Sequence, residues 1–412
     1  MKYNGCFLEY QALWNTILEK NPADIIRQLA DAVQKFFTER FSRRAKQWTP
    51  LHIIAEVGLF ELYKYTFEKT GEVNPQNING FTPLHFACQE GHFYICEFIL
   101  EKISDKNPAD IGGRTPLHSA ARNGQVKVYN FIMDGLKDKN PADINGWTPL
   151  HVAAYNGHLN VCEHIMNNLE NKYPSATIGS IAGCTPLHVA AFKGHFKVCK
   201  LIIDSLEDCL ENKNPAADDG VTPLHIAAQK GQLKVCEFIM EGLQNKNPGD
   251  NNGFTPLHFA AEHGHLNVCD LIMEGLQDKN PGSNSGCTPL HSAACKGHLE
   301  VCEFIIEALT NKNPGDNAGW TSLHVAALNG QLKVCELIME GLDDKNPPKH
   351  DGITPLHVAA QKGHFNVCKL ICKKVSKIDI EDHNGRTPLK LAVFEKRWSV
   401  AWLIAGFQST VN

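Results

Sequence analysis

One string constrains this chain more than any other feature. Thr-Pro-Leu-His begins at Thr49, Thr82, Thr115, Thr148, Thr185, Thr222, Thr255, Thr288 and Thr354, with variants at Thr321 (Thr-Ser-Leu-His) and Thr387 (Thr-Pro-Leu-Lys). Eight of the ten intervals are 33 residues and the other two are 37. A unit that short cannot bury its own apolar face, so a chain built from it must stack neighbouring units into one continuous core. The 412 residues are therefore read as an elongated array of like parts.

Each position of the unit has a physical reason. Thr is a good N-cap, and Pro at the next position suits the first helical residue, whose N–H has no helical partner anyway. Paired alanines such as Ala153-Ala154 let neighbouring helices come close. Gly157 and its counterparts suit the left-handed turn that ends a short first helix. Val161, Cys162, Ile165, Met166 and Leu169 then form one apolar stripe of a second helix. Asn-Pro closes the unit, because the residue before Pro is pushed out of the helical region.

In period, in the signature Thr-Pro-Leu-His-x-Ala-Ala and in the Gly-His that opens the second helix, this unit resembles the ankyrin repeat. The resemblance covers about residues 48 to 412. It implies an all-α solenoid of stacked helix-turn-helix units joined by hairpin-like loops. Residues 1–47 are expected to be a degenerate helical repeat capping the array, with an amphipathic helix over 25–41. Residues 48–384 give ten repeats, and 385–412 a C-terminal capping repeat made polar by Lys390, Lys396 and Arg397. The chain departs from the family where the second helix ends. Leu243, Leu276 and Leu309 continue the apolar stripe, which predicts second helices about one turn longer than the family norm. The two 37-residue intervals place extra residues at a hairpin tip, 175–182, and at a second-helix end, 204–211.

No catalytic signature is present: no Gly-x-Ser-x-Gly, no phosphate loop, no His-Glu-x-x-His, no Cys-x-x-Cys. The ten recurrent histidines are spaced one repeat apart, and helices about 8–10 Å apart cannot bring them to one metal. Their expected work is hydrogen bonding to Thr and to neighbouring backbone, tying one repeat to the next. The recurrent Val-Cys or Ile-Cys thiols read as small apolar fillers, and Cys287 and Cys295 as the most reactive of the cysteines. A net charge of −5 gives nucleic acid no basic footprint. No window has the roughly 18 apolar residues of a membrane span, and Glu9 and Gln11 interrupt any signal-peptide core. An odd cysteine count fits a reducing compartment, cytoplasm or nucleus.

The resemblance places binding on the residue before Thr-Pro and on the two after Ala-Ala, along the concave face. Within those rows, aromatic and cationic side chains are the natural anchors of a protein interface. The candidate partner-binding residues are Phe81, Arg114, Arg122, Trp147, Tyr155, Phe192, Lys193, Phe254, Trp320 and Leu328, with Trp147, Tyr155 and Phe192 the strongest cluster. The expected function is a monomeric, non-catalytic scaffold or adaptor for another protein, with no cofactor, no metal, no nucleic acid and no membrane insertion. The alternative is a regulatory fragment of a larger channel, kinase or ubiquitin-ligase protein. The family also raises hydroxylation of a turn asparagine such as Asn140, Asn214 or Asn247, although a Pro follows each.

Overall fold

Every repeat begins where the sequence places a cap. The computed structural model describes residues 26–28, 32, 48–169, 174–176, 182–206 and 213–411. In the first of its two compact units, Met1–Pro186, short helices Pro50–Val57, Pro83–Glu90, Pro116–Arg122 and Pro149–Asn156 follow Thr residues in extended backbone. In the second, Leu187–Asn412, the same happens at Pro223–Gln229, Pro256–Glu262, Pro289–Lys296, Ser322–Leu328, Pro355–Lys362 and Pro388–Phe394. Within each unit, successive first helices pack on one another. The Ala pairs allow that approach, and Ala153, Ala154, Ala260 and Ala261 are wholly buried. Gly157 stops its helix at φ 78°. In the last repeat Lys396 takes the same left-handed turn at φ 58°.

The second helices, such as Leu159–Asn167 and Leu266–Glu274, bury the expected stripe: Val161, Cys162, Ile165 and Met166 in one, Val268, Cys269, Ile272 and Met273 in the other. They are not lengthened. Leu233–Met240, Leu266–Glu274 and Leu299–Glu307 stop before Leu243, Leu276 and Leu309. Those leucines instead bond three residues back, to the carbonyls of Met240, Met273 and Ile306. The stripe continues, but as a tight turn that a lysine closes. Lys106, Lys279 and Lys345 reach back with Nζ to the last helical carbonyls of Leu100, Met273 and Met339. Helix Phe196–Asp204 also has the ordinary length. Of the segment expected to extend it, 204–211, residues 207–211 lie outside the described residues, as do 177–181 of the long hairpin tip. Most of the proposed N-terminal cap lies outside them too, although Ile26, Arg27, Gln28 and Ala32 are helical.

The loops are turns and not strands; among the described residues the only bridge is Gly315 with Thr321. Each turn is nevertheless laddered to the one before it. Ile111 N–H donates to Asn79 O and Ile144 N–H to Gly112 O, both at 3.0 Å. In the second unit Asn251, Asn284 and Asn317 add a side-chain bond, Nδ2 to the carbonyls of Asp218, Asn251 and Asn284. The Asn of Lys-Asn-Pro has its own task. Asn140, Asn214, Asn247 and Asn280 each accept, at 3.0 Å, from the N–H of Leu at the second position of the next helix.

The histidines carry the strongest regularity. Across the described repeats Nδ1 accepts from the Thr N–H at 3.0–3.3 Å. All ten Nε2 atoms lie 2.8–3.1 Å from the carbonyl just before the next repeat's Thr. An N–H can only donate and a carbonyl can only accept, so these imidazoles are neutral with the proton on Nε2. Burial reinforces this. It holds His85, His188, His258 and His324 down at about 4, opposed only in part by the carbonyl each one faces. His52, His118, His225, His291 and His357 are lowered for the same reason.

Two outcomes follow. The folded state depresses these pKa values below the unfolded 6.5, so the stability they contribute is complete above pH 6.5 and is lost as pH falls towards about 4. Each unit of depression is worth about 1.4 kcal/mol per group. Urea midpoints should therefore drop steeply across that window, and a flat profile there would contradict the assignment. Separately, Ser322 replaces the helix-starting Pro and leaves its hydroxyl buried without a partner. Ser322→Pro should raise unfolding free energy by about 1 kcal/mol, since it removes the orphan hydroxyl and presets the first helical φ.

Candidate functional site

In most described repeats the residue before Thr is held at both of its backbone ends. At Trp147, the N–H donates to Asp143 Oδ1 at 2.9 Å and the carbonyl accepts from His118 Nε2 at 3.0 Å. Asp143 Oδ1 also takes the Asn145 N–H at 2.8 Å, so one carboxylate shapes the whole turn. Asp110, Asp250, Asp316 and Asp382 do the same for Arg114, Phe254, Trp320 and Arg386. Stacking crowds the turn glycine at several repeats. A β-carbon on Gly113, at φ 76°, would lie 2.9 Å from the Ile144 nitrogen. What remains free to vary at this position is the side chain.

Those side chains lean on the histidine of their own motif. Ring centroids are 5.3 Å apart for Phe81 and His85, 5.9 Å for Trp147 and His151, 5.2 Å for Phe254 and His258, and 5.9 Å for Trp320 and His324. All four aromatic residues are half-buried, so each combines a packing role with an open edge. Trp147 also meets Tyr155 at 5.8 Å. Arg114 is exposed but anchored: Nε and an Nη reach Asp110 Oδ2 at 2.9 and 2.8 Å, and the guanidinium lies 5.0 Å from the Phe81 ring. Lys349 lies 5.3 Å from the Trp320 ring.

The row after Ala-Ala is built in the same way. Arg122 and Leu328 give their carbonyls to His158 and His364 of the following repeats, at 2.8 and 2.9 Å. The Arg122 side chain is exposed and the Leu328 side chain half-buried. Of the expected cluster, the first unit brings Trp147 and Tyr155 together. Phe192 belongs to the second unit, where it is 38% exposed with Lys230 Nζ 4.7 Å and Lys193 Nζ 5.6 Å from its ring.

Sequence reading passed over two surface features. Ile78, Ile111 and Ile144 stand at successive turn tips, 59%, 72% and 60% exposed, where the second unit has polar residues; their 33-residue spacing was the available signal. On the last repeat Phe394, Trp398 and Trp402 are exposed beside Lys390 and Lys396, so its surface is not simply the expected polar one.

The buried thiols of the second helices are chemically quiet. Burial pushes Cys199, Cys236, Cys269, Cys302 and Cys335 up to about 12. Cys287, expected to be reactive, is half-buried and pushed up to about 11, which removes its thiolate at neutral pH. Among the described residues no group of three or more His, Cys, Asp or Glu side chains could hold a metal, and no helix is long and apolar enough to cross a membrane.

A family model described as ankyrin repeats (3 copies) matches in overlapping segments: 13–110, 51–142, 103–177, 135–213, 169–247, 187–281, 271–347 and 339–412. A search of curated proteins returned no match.

The turn geometry separates structural from variable groups. Asp143→Ala removes the acceptor of two turn N–H groups and should cost about 1–3 kcal/mol in urea unfolding. Arg122→Ala removes an exposed side chain and should change stability by no more than about 0.5 kcal/mol. Equal effects of the two substitutions would mean that the carboxylate does not hold the turn.

Proposed function

The chain belongs to the ankyrin-repeat family, and from that premise we propose that it is a non-catalytic scaffold or adaptor that grips a protein partner through its concave rows. Ankyrin repeats are in general protein-interaction modules. One observation carries the reading to particular residues. The position before Thr has its N–H and carbonyl both committed to hydrogen bonds at Trp147, Phe254, Arg114 and Val221, yet the side chain differs at each. A position fixed in backbone and varied in side chain supports a surface that can be composed for one partner while the array stays intact. Phe81, Trp147, Tyr155, Phe192, Phe254 and Trp320 supply rings, and Arg114, Arg122 and Lys193 supply charge; Leu328 adds an aliphatic contact. Rings and guanidinium groups of this kind dominate interface energetics. The protein acts as a monomer, and its place is the cytoplasm or nucleus, where thiols such as Cys236, Cys269 and Cys302 stay reduced.

The test begins with affinity capture of a partner by the full chain. Trp147→Ala and Phe192→Ala should each weaken that complex by about 2 kcal/mol or more. Glu163→Ala, on the exposed side of a second helix, should leave it unchanged. Trp147 packs on His151 and Tyr155, so thermal unfolding of each variant is read alongside. Wild-type binding by both aromatic variants, with loss in the Glu163 variant, would place the partner on the opposite face.

A further inference from the structure

The second residue after Ala-Ala changes character between the two units. In the first unit it is Val57, Glu90, Asn123 and Asn156; in the six repeats of the second unit that precede the last, where Glu395 stands, it is Lys193, Lys230, His263, Lys296, Asn329 and Lys362. The position is exposed in every one of these repeats before the last, so packing does not choose its occupant. A lysine at the end of a first helix complements the helix C-terminus, but that benefit is equally open to the first unit, which does not take it. Between residues 192 and 362 the two rows after Ala-Ala hold four lysines and a single carboxylate, Glu262, which meets Lys296 Nζ at 3.3 Å. The positive charge is thus concentrated along one line of one unit.

Resting on the scaffold reading above, we propose that this lysine row receives an acidic partner segment in extended conformation, with carboxylates recurring every third residue. The spacing follows from geometry. Packed helices lie about 8–10 Å apart, and a polyproline II segment has three residues per turn and advances about 3.1 Å per residue, so one repeat corresponds to about three residues of ligand and every third side chain faces the same way. The side chain of the ligand that faces each lysine then recurs in register, while His263 and Asn329 accept neutral or hydrogen-bonding groups. Phe192, flanked by Lys193 and Lys230, gives one end of the row an apolar stop. A nucleic acid fits less well. The turns of the same unit carry Asp218, Asp219, Asp250, Asp316 and Asp351, which would repel a broad polyanion, and the whole chain is at −5. A narrow peptide can put its carboxylates on the lysine line alone.

The experiment uses the full chain and a fluorescein-labelled peptide of about eighteen residues, repeating Asp-Ser-Gly, read by anisotropy at low salt. The comparison probes are the same composition with its aspartates in one block, and an oligothymidylate. The spaced peptide should bind more tightly than either. The triple variant Lys230→Glu, Lys296→Glu, Lys362→Glu should weaken it by about tenfold or more. Lys234→Glu, Lys333→Glu, Lys369→Glu makes the same charge change on exposed second-helix positions and should stay within about twofold of wild type. If the glutamate triple does not fold, the corresponding Lys→Gln triple replaces it. The proposal is overturned by no binding of the spaced peptide up to about 1 mM, by equal loss in the two triple variants, by equal affinity for the blocked peptide, or by tighter binding of the oligothymidylate. Any of these, with partner capture still sensitive to Trp147 and Phe192, would remove this inference and leave the scaffold reading standing.

Discussion

The structure depends on a neutral imidazole that is used at both ends. At each of ten positions a buried ring takes the N–H of its own helix cap on Nδ1, or gives its Nε2 proton to the turn of the next repeat, and in most described repeats both bonds are seen. A buried carbonyl without a donor is costly, and a loop stacked on a loop offers few donors of its own. The histidine solves that problem once per repeat and makes the solution identical each time. It also couples helix capping to stacking, so that a repeat whose neighbour is missing loses a bond at the place where its first helix begins.

That arrangement explains where variation is permitted. The stack takes the carbonyl of the residue before Thr, and in six described turns an aspartate or asparagine four residues earlier takes its N–H; Asn77 Oδ1, for example, holds the N–H groups of Asn79 and Phe81 at 2.9 and 3.0 Å. It does not need the side chain that projects from that residue. A second ladder does the same for the row after Ala-Ala, where His265 and His298 reach back to the carbonyls of Gln229 and Glu262 at 3.0 and 2.9 Å. Within each unit the two ladders hold the backbone in register while the side chains between them vary from repeat to repeat. The two units use that freedom differently, with exposed isoleucines on the turn tips of one and a lysine line in the other.

The cysteines show the reverse case. Cys162, Cys236 and Cys302 recur with the same regularity as the histidines, but they lie wholly buried on the second helices, and burial keeps Cys236 and Cys302 protonated. Regular spacing in a repeat array therefore identifies a packing role as readily as a chemical one, and only the surroundings of the atom distinguish them.

The amino-acid sequence by itself determined the repeat, its helix starts, its buried stripe and the bridging role of the histidines. Each of these is local or periodic, and periodicity survives in one dimension. Thr49 to Pro50 announces a cap wherever the chain goes, and Ala153-Ala154 announces a close helix contact. Only the tertiary structure decided matters that turn on what lies opposite. Leu276 continues an apolar pattern, but its helix stops at Glu274, where the Leu276 N–H and the Nζ of Lys279 both donate to the Met273 carbonyl. Arg114 reads as a free cation until Asp110 is seen beneath it, and Trp147 reads as an open ring until His151 and Tyr155 are seen against it. The exposure of Ile111 and the alignment of Lys230, Lys296 and Lys362 on one line likewise depend on stacking, since a residue has a surface only once its neighbours have taken their places.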